Sequence, residues 1–305
     1  MALQAGAKCL YMTGAGTTAS MLGEPDLAIA TLTDFVQNGS MIVRVAKDVP
    51  VICGSCPVER ARLILDADTG FGGPINAART VQRYEQAGIA ALHIEDQSTL
   101  SILLIFVDVI VSPKRCGHLL GKAVTSREEY ASRISAACAA KSSLPSAPLI
   151  IARSLPSPNT SLTAGRTDAI QPHGIDEAIA RMKQAHSLGA EIAFVEGILN
   201  ESDAKKVVQT LRPMPCLLNL ATNGNTPNWT VKQSQEMGFR LVIFPCAGMV
   251  PVVHALRESY REVMEKGTDV EACRGMGPRG FFEVVGLKEA MDIDAKAGGI
   301  AYREV

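Results

Sequence analysis

The chain has 305 residues, of which 47% are hydrophobic and 20% are charged, so it can bury one large core or two smaller ones. Its formal net charge of −1 gives no electrostatic basis for binding nucleic acid or an anionic membrane. The N-terminal sequence MALQAGAKCLYMTG lacks the basic stretch and long apolar segment of a secretory signal. These features favour a soluble, intracellular protein.

The eight cysteines are scattered along the chain without the spacing of a disulfide framework. We therefore expect reduced thiols in a reducing compartment, either the cytoplasm or the mitochondria. Cys53 and Cys56 form a lone C-x-x-C pair. No second Cys or His pair follows closely enough to complete a metal site, so we expect no metal or redox chemistry there.

Apolar and amphipathic segments alternate along the chain, which is typical of parallel strands joined by crossover helices. The first strand is predicted at residues 8–12, and a helix at residues 26–38 is expected to end at Gly39. Residues 49–53 and 62–65 compete for the second strand. The later strands are predicted at residues 89–94, 148–152, 191–195, 216–219 and 240–244, and the later helices at residues 76–87, 126–140, 176–188, 202–211, 231–237 and 251–266.

This pattern contains seven strands, whereas a (β/α)₈ barrel needs eight. An open, doubly wound α/β sheet is the alternative architecture. Such a sheet usually carries a dinucleotide-binding glycine fingerprint, which this sequence does not contain.

The first predicted strand is followed by small residues, in the run Tyr11-Met-Thr-Gly-Ala-Gly-Thr17. Small side chains leave backbone N–H groups accessible, as the binding of a carboxylate or phosphonate oxygen requires. A plain turn between a strand and a helix would have a similar sequence, so both interpretations stay open.

Carboxylates follow two neighbouring strands. Asp66 and Asp68 can face one pocket, because residues i and i+2 of an extended chain point the same way, and Glu95 ends the next strand. Clustered carboxylates repel one another unless a cation or proton lies between them. Oxygen ligands suit Mg²⁺ or Mn²⁺ better than zinc. The alternative is an Asp-x-Asp pair that only caps a turn.

Cys116 lies between basic residues, with Lys114 and Arg115 before it and His118 after it. Nearby positive charge favours the thiolate, and a lowered pKa lets one residue accept and deliver a proton near neutral pH. The alternative is an inert cysteine that only packs.

The segments DADTGFGG (66–73), HIEDQ (93–97) and KRCGH (114–118) resemble the signature of the isocitrate lyase and phosphoenolpyruvate mutase superfamily. The similarity is to its short members, which include methylisocitrate lyase, dimethylmalate lyase, oxaloacetate hydrolase and phosphonopyruvate-processing enzymes. The three motifs occur in the family's order, and the similarity covers nearly the whole chain. The resemblance implies a (β/α)₈ TIM-type barrel at residues 1–266 that lacks its first βα unit, followed by a C-terminal helical arm at residues 267–305. With that unit missing, the targeting of the protein stays open.

The resemblance also implies an activity. It is a Mg²⁺-dependent (or Mn²⁺-dependent) lyase or hydrolase that cleaves a C–C bond in a small 2-hydroxy or 2-keto dicarboxylate through a metal-stabilised enolate. Methylisocitrate, dimethylmalate and oxaloacetate remain open as substrates. Because KRCGH accompanies the lyase and hydrolase branch, phosphonomutase or phosphonopyruvate hydrolase chemistry is less expected.

The resemblance assigns site residues at matching motif positions. Ala28 stands where the family usually has glycine, and Leu220-Ala221-Thr222 replaces a common Met-Thr-Glu, which leaves the substrate undecided. The implied metal ligands are Asp66, Asp68, Glu95 and Asp26; the implied substrate-binding residues are Tyr11, Thr13, Gly14, Ala15, Arg166, Glu196 and Asn219; and the implied catalytic residues are Cys116, Lys114 and His118.

Three segments, near residues 54–63, 98–112 and 154–165, have no counterpart in the family pattern. They resemble retained introns or gene-model errors, so the alternative to an active enzyme is a catalytically defective or mis-spliced chain that is poorly soluble and nearly inactive. The third segment separates Arg153 from Arg166-Thr167-Asp168, so either arginine could bind the substrate carboxylate. We favour Arg166 because it retains the Thr and Asp.

The C-terminal region has apolar residues on one side of a helical pattern between Phe281 and Met291. An exposed apolar stripe needs a partner. By resemblance, this helix packs on the barrel of a neighbouring subunit, which predicts a homodimer or homotetramer.

Overall fold

The computed structural model describes residues 1–7, 9–46, 62–98, 114–117, 119–144 and 162–302. Its internal contacts divide the chain into two compact units. The larger unit contains Gly6–Cys246 and Ala2, and the smaller contains Ala247–Val305, Met1 and Leu3–Ala5. The C-terminal unit therefore starts before residue 267, where the sequence analysis begins the helical arm.

The described part of the larger unit contains seven strands, and every neighbouring pair is parallel. The strands lie side by side in chain order and form a nearly closed barrel, which confirms the predicted TIM-type fold. A doubly wound sheet would reverse its strand order partway, so that alternative is wrong. The strands are β1 Cys9–Met12, β2 Arg62–Asp66, β3 Ala91–Glu95, β4 Leu162–Thr167, β5 Ile192–Val195, β6 Cys216–Asn219 and β7 Leu241–Ile243.

Helices follow the strands and cover the outside of the barrel. Several begin at residues whose side chains cap the first turn: Ser126 accepts from the Glu129 N–H and Asn200 from the Asp203 N–H. The helices are α1 Gly14–Leu22, α2 Leu32–Ala46, α3 Pro74–Gln86, α4 Arg127–Ser142, α5 Ile170–His173, α6 Ile175–Ser187, α7 Glu201–Thr210 and α8 Val231–Glu236.

Side chains alternate between the two faces of each strand, and this alternation divides the core into two layers. In β3, Leu92 and Ile94 pack with the helices in the outer cluster, whereas Ala91 belongs to an inner cluster with Phe194. Side chains alternate between the two faces of a strand, so His93 and Glu95 face the barrel interior together with Ala91. Because of the same alternation, the polar side chains at the strand ends point into the barrel interior.

The expected helix at residues 26–38 is wrong in both its start and its end. The described chain instead forms α1 directly after β1, and α2 continues through Gly39. A Cβ atom on Gly39 would lie 2.9 Å from Cδ2 of Leu65 and 3.1 Å from Cδ1 of Ile89. The glycine therefore permits close packing of the helix on the sheet and is not a helix stop.

Replacing this glycine tests the packing. In an exposed helix, Gly→Ala stabilises by about 1 kcal/mol through helix propensity. We expect Gly39→Ala to destabilise by about 1–3 kcal/mol, because overpacking outweighs propensity here. Urea denaturation measures the effect, with Gln37→Ala on the exposed side of α2 as the control. A stabilised Gly39→Ala variant would contradict the packing argument.

Two predictions about strands depend on regions that are only partly described. β2 forms at the second competing segment, and residues 49–53 lie outside the described residues. The strand predicted at residues 148–152 also lies outside them, and β4 begins at Leu162. The barrel strands therefore include parts of two unmatched segments from the sequence analysis, residues 62–63 and residues 162–165.

The remaining unmatched segment, residues 98–112, is described only at its first residue. Ser98 is buried and donates its N–H to the Ala123 carbonyl, while residues 99–112 lie outside the described ranges.

The C-terminal unit is helical, with α9 Val250–Lys266, α10 Pro278–Val284 and α11 Leu287–Lys296. The Glu262 carboxylate of α9 accepts from the N–H groups of Glu271 and Ala272, which fixes the turn after the helix. In the described ranges, no helix combines the length and hydropathy that crossing a bilayer requires.

Candidate active site

Asp66 is held at the carboxyl end of β2 by two backbone N–H groups and a tyrosine hydroxyl. Its Oδ2 accepts from the Gly14 N–H at 3.2 Å, and its Oδ1 accepts from the Asp68 N–H at 2.9 Å. Its carbonyl accepts from the Tyr84 hydroxyl at 2.9 Å. A Cβ on Gly14 would come within 2.9 Å of Oδ2, so the start of α1 can approach the carboxylate only without a side chain.

The β1 end contributes the other residues predicted to bind substrate. Thr13 is the N-cap position of α1, and Ala15 lies in its first turn. The first N–H groups of a helix lack intrahelical partners and favour an anion. The start of α1 therefore lies beside the Asp66 carboxylate, and the role of Tyr11, Thr13, Gly14 and Ala15 in binding substrate stays a prediction.

Lys114 is a buried cation between two carboxylates. Its Nζ lies 2.7 Å from Oδ1 of Asp26 and 2.8 Å from Oδ2 of Asp68. Burial works to lower the pKa of Lys114, but attraction by Asp68, Glu95 and Asp26 raises it well above its usual value. The side chain is therefore an ammonium that brings together three regions of the chain.

A second buried cation, Arg166, lies opposite Glu95 in the β3–β4 register. Its Nη1 is 2.8 Å from Oε2 of Glu95. Its Nη2 is 3.1 Å from Oδ2 of Asp168 and 3.6 Å from Oε2 of Glu196. Its guanidinium lies 5.0 Å above the centre of the Phe194 ring. The structure thus places Arg166 among the predicted site residues, while Arg153 lies outside the described ranges.

Asn219 at the end of β6 joins this group, because its Nδ2 donates to Oε2 of Glu196 at 3.0 Å. Its Oδ1 is buried without a hydrogen-bond partner among the described residues. Both predicted substrate-binding residues on the later strands therefore lie on the Arg166 side of the site.

His93 links the two sides of the barrel interior. Its Nε2 shares a hydrogen bond with the Tyr11 hydroxyl at 3.0 Å, and its Nδ1 lies 3.7 Å from Oδ1 of Asp66. Burial lowers the pKa of His93 to about 4, so the ring is neutral at neutral pH. A neutral imidazole can accept or donate at either nitrogen, which orients the Tyr11 hydroxyl.

Cys116 is half-buried, and its backbone is tied to the barrel. The Cys116 N–H donates to the Asp26 carbonyl at 3.1 Å. The amide of Gln97 donates to the Arg115 carbonyl at 2.9 Å and accepts from the Arg115 N–H at 3.1 Å. The loop that carries the thiol is therefore fixed to the segment between α1 and α2 and to the segment that follows β3. His118, the remaining predicted catalytic residue, lies outside the described residues.

The donor chemistry at the site fits a hard divalent cation. Glu95 is fully buried, its Oε2 lies 2.8 Å from Nη1 of Arg166, its Oε1 has no hydrogen-bond partner among the described residues, and burial raises its pKa well above its usual value. A carboxylate in that state is stabilised by a cation. Within the described ranges, no three Asp, Glu, His or Cys side chains have the spacing of a formed metal site, and the Lys114 ammonium bridges Asp26 and Asp68.

The sequence analysis missed a buried network behind the site. Oδ2 of Asp96 accepts from the Thr167 hydroxyl at 2.6 Å and from Arg181 at 3.2 Å, and Oδ1 accepts from the Asp168 N–H at 2.9 Å. The motif positions of Asp96 and Asp168 could have drawn attention to them. No sequence signal indicates that Lys122 reaches the same network, 2.7 Å from Asp168.

Comparisons with known proteins identify the family of the chain. A family model described as phosphoenolpyruvate phosphomutase matches residues 1–264. A protein named 2-methylisocitrate lyase from Aeropyrum pernix is 34% identical over 297 residues, covering 97% of this chain and 82% of its own. A 2,3-dimethylmalate lyase from Eubacterium barkeri is 31% identical over 290 residues, covering 95% and 86%.

Solved structures give the same result. Oxaloacetate acetylhydrolase in complex with 3,3-difluorooxalacetate is 41% identical, with a TM-score of 0.81 over 99% of this chain and 89% of that chain. Crystalline 2,3-dimethylmalate lyase is 38% identical, with a TM-score of 0.80 over 99% and 88%. The barrel, the motifs and these similarities together establish that the chain belongs to the phosphoenolpyruvate mutase and isocitrate lyase superfamily.

Proposed function

We propose that the protein is a Mg²⁺-dependent lyase or hydrolase that cleaves a C–C bond in a small 2-hydroxy or 2-keto dicarboxylate. The observation that carries the proposal is the pairing of two buried cations, Lys114 and Arg166, with clustered carboxylates at the carboxyl ends of the strands. The similarity to lyases and to an acetylhydrolase of small dicarboxylates supports the substrate class.

Each side of the site has a role in this proposal. The guanidinium of Arg166 binds a substrate carboxylate by a paired interaction, with Asn219 and Glu196 beside it. The Ala15 N–H in the first turn of α1 is proposed to bind a second carboxylate, next to the Gly14 N–H that donates to Asp66. The carboxylates of Asp26, Asp66, Asp68 and Glu95 would hold Mg²⁺ or Mn²⁺, which would supply positive charge that stabilises negative charge developing on a 2-keto acid.

Cys116 is the proposed acid or base at the carbon that leaves. Lys114 keeps positive charge close to the loop that carries the thiol, and His118 is proposed to assist from the other side of Cys116. The proton moves between the Cys116 sulfur and that carbon.

Product analysis tests the proposal. Methylisocitrate, dimethylmalate, oxaloacetate and phosphonopyruvate are incubated with the protein and Mg²⁺, quenched with acid and separated by chromatography. We expect cleavage of at least one of the first three and none of phosphonopyruvate. Turnover of phosphonopyruvate alone would contradict the lyase and hydrolase assignment.

The defective-chain alternative is tested in the same assay. The motif residues of the described ranges lie together in one site, which favours activity. The chain as written is compared with one that lacks residues 54–61, 99–112 and 154–161, which keeps the described strands intact. Activity only in the shortened chain would support the alternative, and equal activity in both would reject it.

We expect the protein to form a homodimer or homotetramer. α9 exposes Val252, Val253, Leu256 and Tyr260, and α10 exposes Phe281. Helices with this much exposed apolar surface are stabilised by burial against another subunit. Light scattering after size-exclusion chromatography measures the mass, and deletion after Arg279 should lower the melting temperature. A monomer whose stability is unaffected by the deletion would contradict this expectation.

A further inference from the structure

Lys122 is a buried cation that the proposed function does not use. Its side chain is 2% exposed, and its Nζ lies 2.7 Å from Oδ1 of Asp168. The same Nζ donates to the Gly117 carbonyl at 2.6 Å. Burying an ammonium is costly unless it is paired and hydrogen-bonded, and here both conditions are met by these two partners.

Asp168 is shared between two cations. While Oδ1 accepts from Lys122, Oδ2 accepts from Nε of Arg166 at 3.1 Å and lies 3.1 Å from its Nη2. Lys122, Asp168 and Arg166 therefore form a continuous chain of charged hydrogen bonds. This chain connects the Gly117 backbone to the guanidinium proposed to bind the substrate.

Gly117 lies against the substrate-binding side of the site. A Cβ atom at this position would be 2.5 Å from Nη2 of Arg166 and 2.9 Å from Oε2 of Glu196. Cys116 is the adjacent residue, and consecutive Cα atoms are about 3.8 Å apart. The hydrogen bond from Lys122 to Gly117 therefore acts within one residue of the reactive thiol. A displacement of about 1 Å at such a group can lower a rate about 100-fold.

We propose that Lys122 is a positioning residue: anchored by Asp168, it holds the Gly117 carbonyl and thereby fixes the Cys116 thiol relative to Arg166. The kinetic consequence rests on the proposed function, because it requires Cys116 to transfer a proton. The structural consequence does not. Loss of Lys122 frees the backbone next to Cys116 whatever reaction the protein catalyses.

The test replaces Lys122 with Met, which keeps the length of the side chain and removes its charge. Alkylation of Cys116 by iodoacetamide is followed by peptide mass spectrometry without substrate, with Cys138 in α4 as an internal reference. We expect Cys116 to react about tenfold faster in Lys122→Met, because a hydrogen bond to a charged group typically contributes enough to shift a local equilibrium that far. Lys122→Arg, which retains a cation facing Asp168, should stay within about twofold of the wild type.

Lys141→Met is the matched control. Lys141 also pairs with a carboxylate, that of Glu191, but the pair lies between α4 and the start of β5, away from Cys116. This variant should leave Cys116 alkylation and turnover unchanged. In the variant at Lys122, kcat should fall about 10-fold to 100-fold while KM changes less than about threefold, because Arg166 keeps its carboxylate partners.

The alkylation and turnover measurements distinguish the structural role of Lys122 from its kinetic consequence. Faster Cys116 alkylation without turnover of any substrate by the wild type would support the positioning role and contradict the proposed function. Unchanged Cys116 alkylation in a folded Lys122→Met protein would overturn the positioning role. If Lys122→Met does not fold, Lys122→Gln, which keeps a polar donor, undergoes the same measurements. Failure of both neutral variants to fold would assign Lys122 to stability and overturn the proposal.

Discussion

Arg166→Met should abolish most of the activity and also destabilise the protein. The guanidinium lies within 3.6 Å of carboxylate oxygens of Glu95, Asp168 and Glu196, and all three carboxylates are buried. Removing one partner of a buried ion pair typically costs about 3–5 kcal/mol, because the remaining charges lose their compensation. We expect kcat/KM to fall about 1,000-fold or more, equivalent to about 4 kcal/mol of transition-state stabilisation.

Steady-state kinetics and urea denaturation measure the two effects. Arg166→Lys keeps the charge but loses the planar guanidinium, which can bind a carboxylate through two N–H groups at once. This variant should therefore be more stable than Arg166→Met but should retain little of the activity. Arg127→Met is the control, because Arg127 forms an exposed ion pair with Glu177 outside the site. Both its melting temperature and its turnover should equal those of the wild type. An Arg166→Met protein with wild-type stability would show that the buried charges are compensated in another way.

Asp68→Asn should remove the response of the protein to divalent metal. A ligand that binds only the folded state stabilises it by about 2.7 kcal/mol at 100 times its dissociation constant. Mg²⁺ or Mn²⁺ should therefore raise the melting temperature of the wild type. The amide keeps the size of the side chain but loses a charged oxygen ligand, so the shift should disappear and kcat should fall about 1,000-fold.

Differential scanning calorimetry with and without Mg²⁺ measures the shift, and removal of metal with EDTA should stop turnover by the wild type. Asp176→Asn is the matched control, since this exposed carboxylate pairs with Lys206 at the surface. It should keep the metal-dependent shift. A wild-type melting temperature that does not respond to Mg²⁺ would refute the metal assignment.

Much of the fold followed from the sequence because its signals are local. A strand such as Cys216–Asn219 or Ile192–Val195 is a short buried segment, and its apolar run and flanking turns identify it without reference to other elements. The serine that caps the first turn of α4 is an equally local signal. The helix predicted at residues 26–38 failed because a glycine inside a helix was interpreted without its packing partners Leu65 and Ile89.

By itself, the sequence determined the alternating βα architecture, the carboxylates at the ends of β2 and β3, and the family motifs. Only the tertiary structure decided which charges meet. Lys114 pairs with Asp26, 88 residues away, and Lys122 pairs with Asp168, 46 residues away. Periodicity sets the face on which a side chain lies, because it depends on neighbouring residues alone. Contacts between distant residues depend on strand register and loop paths, which the packing of the whole barrel sets.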